Sequence, residues 1–124
     1  MDPILAELNE AQREAVEQID GPVLILAGAG SGKTRVLTQR TVYLMDVEKV
    51  EPRKILCITF TNKAAGEMKE RMKVTEDKSP RITTIHSLAL SAIRRNPVGF
   101  GLSEKVTPID DYDQKQIVKK VIEE

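Results

Sequence analysis

Two short apolar runs, PVLILA at residues 22–27 and KILCITF at 54–60, stand out from a polar background, and both are rich in β-branched side chains. Each is followed by a stretch of helical period. From Lys33 to Met45, the residues Val36, Leu37, Arg40, Val42, Leu44 and Met45 give an imperfect inward face; from Asn62 to Lys73, Ala65, Met68 and Met72 fall on one side. A third strand is predicted at RITTIH (81–86), followed by a helix through SLALSAIRRN that stops before Pro97. TEDKSP (75–80) reads as a surface loop. This alternation predicts an α/β fold with parallel strands joined by helical crossovers.

From Asn96 the pattern changes. NPVGFGLSEKVTP is rich in turn residues, and Asp110 to Glu124 is helical again, with a stripe of Tyr112, Ile117, Val118, Val121 and Ile122. Such a stripe needs a surface to pack on, and little chain follows it. The expectation is therefore a piece of a longer protein, with a helix docked on its own domain as the alternative. No internal repeat or low-complexity tract is visible.

Composition narrows this picture only modestly. The 124 residues are 40% apolar, enough for one domain, and a domain of this size buries roughly two-thirds of its unfolded surface. Nineteen Lys and Arg balance 19 Asp and Glu, so polyanion binding has to come from local clusters and not from a global field. Cys57 has no second cysteine to pair with and sits in an apolar run, which favours a buried, reduced thiol over a disulfide or metal ligand. The start, MDPILAEL, has neither a charged leader nor a membrane-length apolar run, so the cytoplasm is the expected location and no membrane partner is expected.

The chemistry is concentrated in LAGAGSGKTRVL (26–37). Residues 27–34 spell A-G-A-G-S-G-K-T, which fits the phosphate-loop pattern G-x-x-x-x-G-K-[ST] except that Ala27 takes the first glycine position. The loop lies between a predicted strand and a predicted helix, where backbone N–H groups and the positive helix end converge on phosphate oxygens. Gly28, Gly30 and Gly32 allow the wrap, with Ala29 and Ser31 between them. Lys33 is the cation for the outer phosphates, and Thr34 supplies a hydroxyl for Mg²⁺. Ala27 is tolerable if it closes the strand with negative φ. ATP with Mg²⁺ is the cofactor this motif implies, and Lys33 and Thr34 are the candidate catalytic residues.

Three flanking stretches, in order and spacing, resemble the amino-terminal part of superfamily 1 DNA helicases of the UvrD/Rep/PcrA type. LNEAQREAV (8–16) resembles the family's Q motif, ITFTNKAAGEMKERM (58–72) its motif Ia and TTIHSLALSAIRR (83–95) its motif Ib. The resemblance implies that Gln12 recognises adenine and that Arg35 lies against the adenine ring. It implies that Phe60, Thr61, Asn62, Lys63, Thr84, His86 and Ser87 meet single-stranded DNA.

Each residue also has a local reading. Gln12 has the donor and acceptor that the adenine edge needs, but Asn9 and Gln12 are equally spaced as a capping box. Arg35 is either a stacking partner or an exposed helix-face arginine. Phe60 either stacks on a base or packs in the core. Thr61, Asn62 and Lys63 either hold phosphate or make an ordinary helix cap with a solvated lysine, and a lone histidine such as His86 is commonly structural. Ile85 replaces the family's usual phenylalanine.

The family's Mg²⁺-binding Asp-Glu pair and the arginines of its second RecA-like domain have no counterpart in the sequence; IDDYD (109–113) reads as a helix start. The resemblance therefore implies a partial RecA-like P-loop domain at 1–95 and the start of a helical inserted subdomain at 96–124. The parent would be an ATP-dependent DNA helicase or translocase that works with its remaining helicase domains on single-stranded or duplex DNA, and the chain alone would be inactive. Two alternatives remain open, a small P-loop kinase or GTPase and a non-enzymatic nucleotide-binding module. Polarity, pathway, an attached nuclease and oligomeric state are not specified.

Overall fold

The computed structural model describes residues 3–73 and 78–124. Residues 75–77 of the expected 75–80 loop lie outside that description. Two compact units are present, Met1–Ile85 and His86–Glu124.

The first unit opens with helix α1, Glu10–Glu17. Its start is fixed by the reciprocal capping box: Asn9 Oδ1 accepts from the Gln12 amide at 2.9 Å, and Gln12 Oε1 accepts from the Asn9 amide at 3.1 Å. Helix α2, Lys33–Asp46, packs against it. Leu5, Leu8, Val16 and Val36 form one apolar cluster between them, with Ala15, Ile25 and Tyr43 at its margin. Arg40, part of the expected inward face, closes the other end of α1: its guanidinium donates to the Ala15 carbonyl at 2.6 Å and to the Gln18 carbonyl. A cation at the negative end of a helix is favourable.

Strand β1, Leu56–Thr59, follows a 3₁₀ turn at Pro52–Lys54, and helix α3, Asn62–Met72, crosses to strand β2, Arg81–Thr84. The two strands pair in parallel, with Leu56 opposite Arg81 and Thr59 opposite Thr84. Ala65, Met68 and Met72, the expected face of α3, are buried with Ile82 in a second cluster flanked by Val42, Met45 and Cys57. The strand–helix–parallel strand unit expected from the pattern is present.

Three expectations need correction. Residues 22–27 join no sheet. A strand exists by virtue of its ladder, and β1 takes β2 as its neighbour, so this run has no pairing partner among the described residues. Leu24 and Leu26 stay 83% and 87% exposed while Ile25 reaches the first cluster. On α2, Leu37 is exposed, and the buried positions are Val36, Thr38 and Thr41. Both threonine hydroxyls satisfy themselves within the helix, on the Thr34 and Leu37 carbonyls at 2.8 Å, which removes the polar cost of burial. The third strand is shorter than expected, because the helix after it begins at Ile85 and takes His86 into its first turn.

The second unit holds most of that helix, α4 (Ile85–Arg95), a 3₁₀ turn at Val98–Phe100 and helix α5, Asp111–Glu123. Asp110 caps α5 by accepting from the Asp113 amide at 2.8 Å, so the acidic cluster is a helix start. The stripe Tyr112, Ile117, Val118, Val121 and Ile122 is exposed. No helix among the described residues is long and apolar enough to cross a membrane.

Met68 is 3% exposed. Met68→Ala is expected to lower stability by about 2–5 kcal/mol in urea unfolding, whereas Ile122→Ala, on the bare stripe, should stay within about 0.5 kcal/mol.

Cys57 is half-buried and free, and burial pushes its thiol up while a hydrogen bond with Thr41 at 3.5 Å partly offsets this. A raised folded value favours the neutral thiol, so its stabilisation is complete below the unfolded thiol range and is lost as pH climbs through the folded value. Alkylation near pH 9.0, the ordinary thiol value, should therefore be slower in the folded protein than in urea.

Candidate functional site

The loop of residues 27–34 wraps as its glycines permit. Gly30 and Gly32 adopt left-handed backbone, φ +74° and +82°, which a side chain would oppose. Ala27 is not among the positive-φ residues, as expected, but residues 22–27 form no strand for it to close. Ser31 closes the turn on Gly28, its amide at 3.3 Å and its hydroxyl at 2.5 Å from the Gly28 carbonyl.

Helix α2 begins directly after Gly32, and no side chain caps it. The N–H groups of its first turn have no intrahelical acceptor, and they carry the positive end of the helix dipole. Lys33 adds a full charge at the same place. Its ammonium is folded back onto the loop, donating to the Ala27 carbonyl at 3.0 Å and the Gly28 carbonyl at 2.9 Å. A lysine held by two neutral carbonyls keeps its charge uncompensated, ready for phosphate oxygens that bind it more strongly. Thr34 is exposed beside it. Positions 28 and 30 have open space around them, room that a phosphate chain needs. The donor set therefore fits a nucleotide triphosphate with Mg²⁺. From Lys33 and Thr34 a cleft of about 490 Å³ runs past Leu37 and Leu44 to Leu56 and Ile58.

The residues expected around the base are present but engaged. Gln12 uses Oε1 in the capping box, and its Nε2 donates to the Ser31 carbonyl at 3.2 Å. The cap and loop contact together leave one amide hydrogen and one lone pair. Arg35 is paired with Glu7, 28 residues away in sequence. Glu7 carries no motif, so only the fold reveals that partner. With side chains 42% and 76% exposed, the pair is solvent-screened and worth little stability.

At the carboxyl end of β1, Phe60 is 86% exposed and outside both apolar clusters. Thr61 caps α3, accepting from the Ala64 amide at 3.1 Å, and Asn62 and Lys63 are exposed on its first turn. Thr84, at the end of β2, is buried, whereas His86 and Ser87 are exposed on the first turn of α4. Among the described residues, neither strand is followed by an acidic pair: β1 leads into Phe60 and Thr61, β2 into Ile85 and His86.

Comparison with known proteins gives the family. The family described as the UvrD/REP helicase N-terminal domain matches residues 8–124. A Staphylococcus aureus protein named ATP-dependent DNA helicase PcrA is 48% identical over 125 residues, which is 98% of this chain and 17% of that protein. A Mycoplasma capricolum protein named probable DNA helicase II homolog is 47% identical over 127 residues, 100% of this chain and 18% of that protein. The PcrA of Staphylococcus epidermidis is 45% identical over 125 residues, 98% of this chain and 17% of its own length. This chain thus spans about one-sixth of the length of the curated relatives it matches. With the family match covering residues 8–124 and relatives 45–48% identical over nearly all of it, the chain belongs to the UvrD/REP helicase N-terminal domain family.

Proposed function

We propose that this chain is the ATP-binding and single-strand-DNA-contacting portion of an ATP-dependent DNA helicase or translocase. The observation that carries the reading is the uncapped start of α2, where first-turn amides and the Lys33 ammonium meet beside a glycine-turned loop. An anion is the natural occupant of such a place. The names of the similar proteins, ATP-dependent DNA helicases, supply the nucleotide and the substrate class.

In this reading the amides of residues 28–34 cradle the phosphates. Lys33 leaves its two carbonyl acceptors to hold the outer phosphates, Thr34 presents its hydroxyl to Mg²⁺, and Gln12 and Arg35 flank the base. Bound Mg²⁺ would supply charge neutralisation at the phosphates. After β1, Phe60 offers an exposed ring on which any base can stack, and Asn62 and Lys63 offer donors to the DNA backbone. In the second unit, His86 and Ser87 are exposed and offer their own polar groups to a DNA backbone, whereas Thr84, at the end of β2 in the first unit, is buried. Hydrolysis needs a carboxylate to order the attacking water and further positive charge on the transition state. Neither follows β1 or β2, so turnover in this proposal depends on the remaining helicase domains of the parent.

Titration of Mg·ATP into the 124-residue chain should show binding without measurable hydrolysis, and Lys33→Ala should weaken it about tenfold, as expected for removing a charge-assisted contact. Robust Lys33-dependent hydrolysis by the chain alone, or binding indifferent to Lys33→Ala, contradicts the proposal. A fluorescent oligo-dT should bind weakly and lose about 1–3 kcal/mol with Phe60→Ala while the fold persists; unchanged binding removes the stacking role.

A further inference from the structure

Ser31 sits between Gly30 and Gly32, the two loop residues with left-handed backbone. The Ser31–Gly32 peptide has a glycine on its N–H side, which lowers the steric cost of reorienting it, and in a trans peptide the carbonyl and the following N–H point in opposite directions. Whatever holds the Ser31 carbonyl therefore decides which way the Gly32 N–H faces. The group that holds it is Gln12 Nε2, at 3.2 Å.

Gln12 is itself fixed. Its Oε1 accepts from the Asn9 amide at 3.1 Å, while Asn9 Oδ1 accepts from the Gln12 amide at 2.9 Å. Because the Asn9 amide requires an acceptor and the Ser31 carbonyl requires a donor, the side-chain amide fits in one orientation only. A methyl group at position 32 would come within 3.2 Å of Gln12 Nε2, so the loop and α1 are closely apposed here. Arg40 holds the far end of α1 through the Ala15 and Gln18 carbonyls, so the anchor is itself secured to α2.

We propose that Gln12 is a positioning residue for the phosphate loop: it ties the Ser31 carbonyl to the capped start of α1 and so sets affinity for a triphosphate whatever base is attached. This rests on residues 27–34 being the triphosphate site, and it assigns Gln12 a task separate from reading adenine. Asn9 shares the task without approaching the ligand.

The test uses the whole chain and a ligand without a base, Mg·tripolyphosphate, beside Mg·ATP. Gln12→Glu keeps the acceptor that the capping box needs but sets an oxygen against the Ser31 carbonyl. Without ligand, the Ser31 amide, which is bonded to the Gly28 carbonyl at 3.3 Å, should exchange with deuterium about fivefold faster in this variant, the equivalent of one neutral hydrogen bond, with the α1 amides unchanged. An added carboxylate alone repels hydroxide and slows exchange, so acceleration is not its charge effect. Asn9→Ala should speed exchange of the Ser31 amide and weaken tripolyphosphate binding by a similar factor, and Asn9→Ser, which keeps a capping oxygen, should restore both. Unaltered loop exchange in Gln12→Glu overturns the proposal. So does a loss of ATP affinity with tripolyphosphate affinity intact, which would leave Gln12 a base reader alone. If the wild-type chain binds neither ligand while the loop still exchanges faster in the variant, the phosphate-site reading falls and the tether stands.

Discussion

A helix that starts without a side-chain cap leaves its first N–H groups to find an acceptor elsewhere, and the start of α2 is built on that constraint. Gly32 turns the chain into the helix with left-handed backbone and brings no capping oxygen. The dipole end, the first-turn amides and Lys33 meet at the start of α2, and among the described residues no carboxylate is paired with Lys33. Lys33 donates to two main-chain carbonyls, acceptors that carry no net charge of their own. The rest of the first unit supports this spot. Helix α1 braces the loop through Gln12 and is fastened to α2 by Arg40 and the cluster around Val16.

The second constraint is the parallel pairing of β1 and β2. Because Thr59 lies opposite Thr84, both strands end at the same edge of the sheet, and the chain leaves each of them at a residue facing solvent. In open α/β sheets the carboxyl ends of the strands are where ligands are met. Phe60 occupies that place after β1, and burial of Met68, Met72 and Ile82 beneath it holds the edge in position without using the aromatic ring.

Local signals in the sequence were enough for what depends on local physics. Helix faces with clear period, such as Ala65, Met68 and Met72, and the Asn9–Gln12 cap are set within a few residues of chain and appear as expected. The turn at residues 27–34 is equally local, with Gly30 and Gly32 in left-handed backbone. Long-range partners were not legible. Glu7 finds Arg35, and Gln12 finds Ser31, through the packing of α1 on α2, which no spacing encodes. Thr38 and Thr41 looked polar in a one-dimensional pattern, yet helix geometry hands each hydroxyl an acceptor one turn back, so they bury. The run at 22–27 has the composition of a strand but no ladder neighbour among the described residues, because strand formation is decided by a partner that composition does not contain.

The most direct measurement of the central claim is amide chemical-shift mapping of the ¹⁵N-labelled chain as Mg·ADP is added. The account predicts that the largest changes fall on residues 28–35, at the uncapped start of α2 and the loop before it. Changes confined to other surfaces, or none at saturating nucleotide, would contradict it.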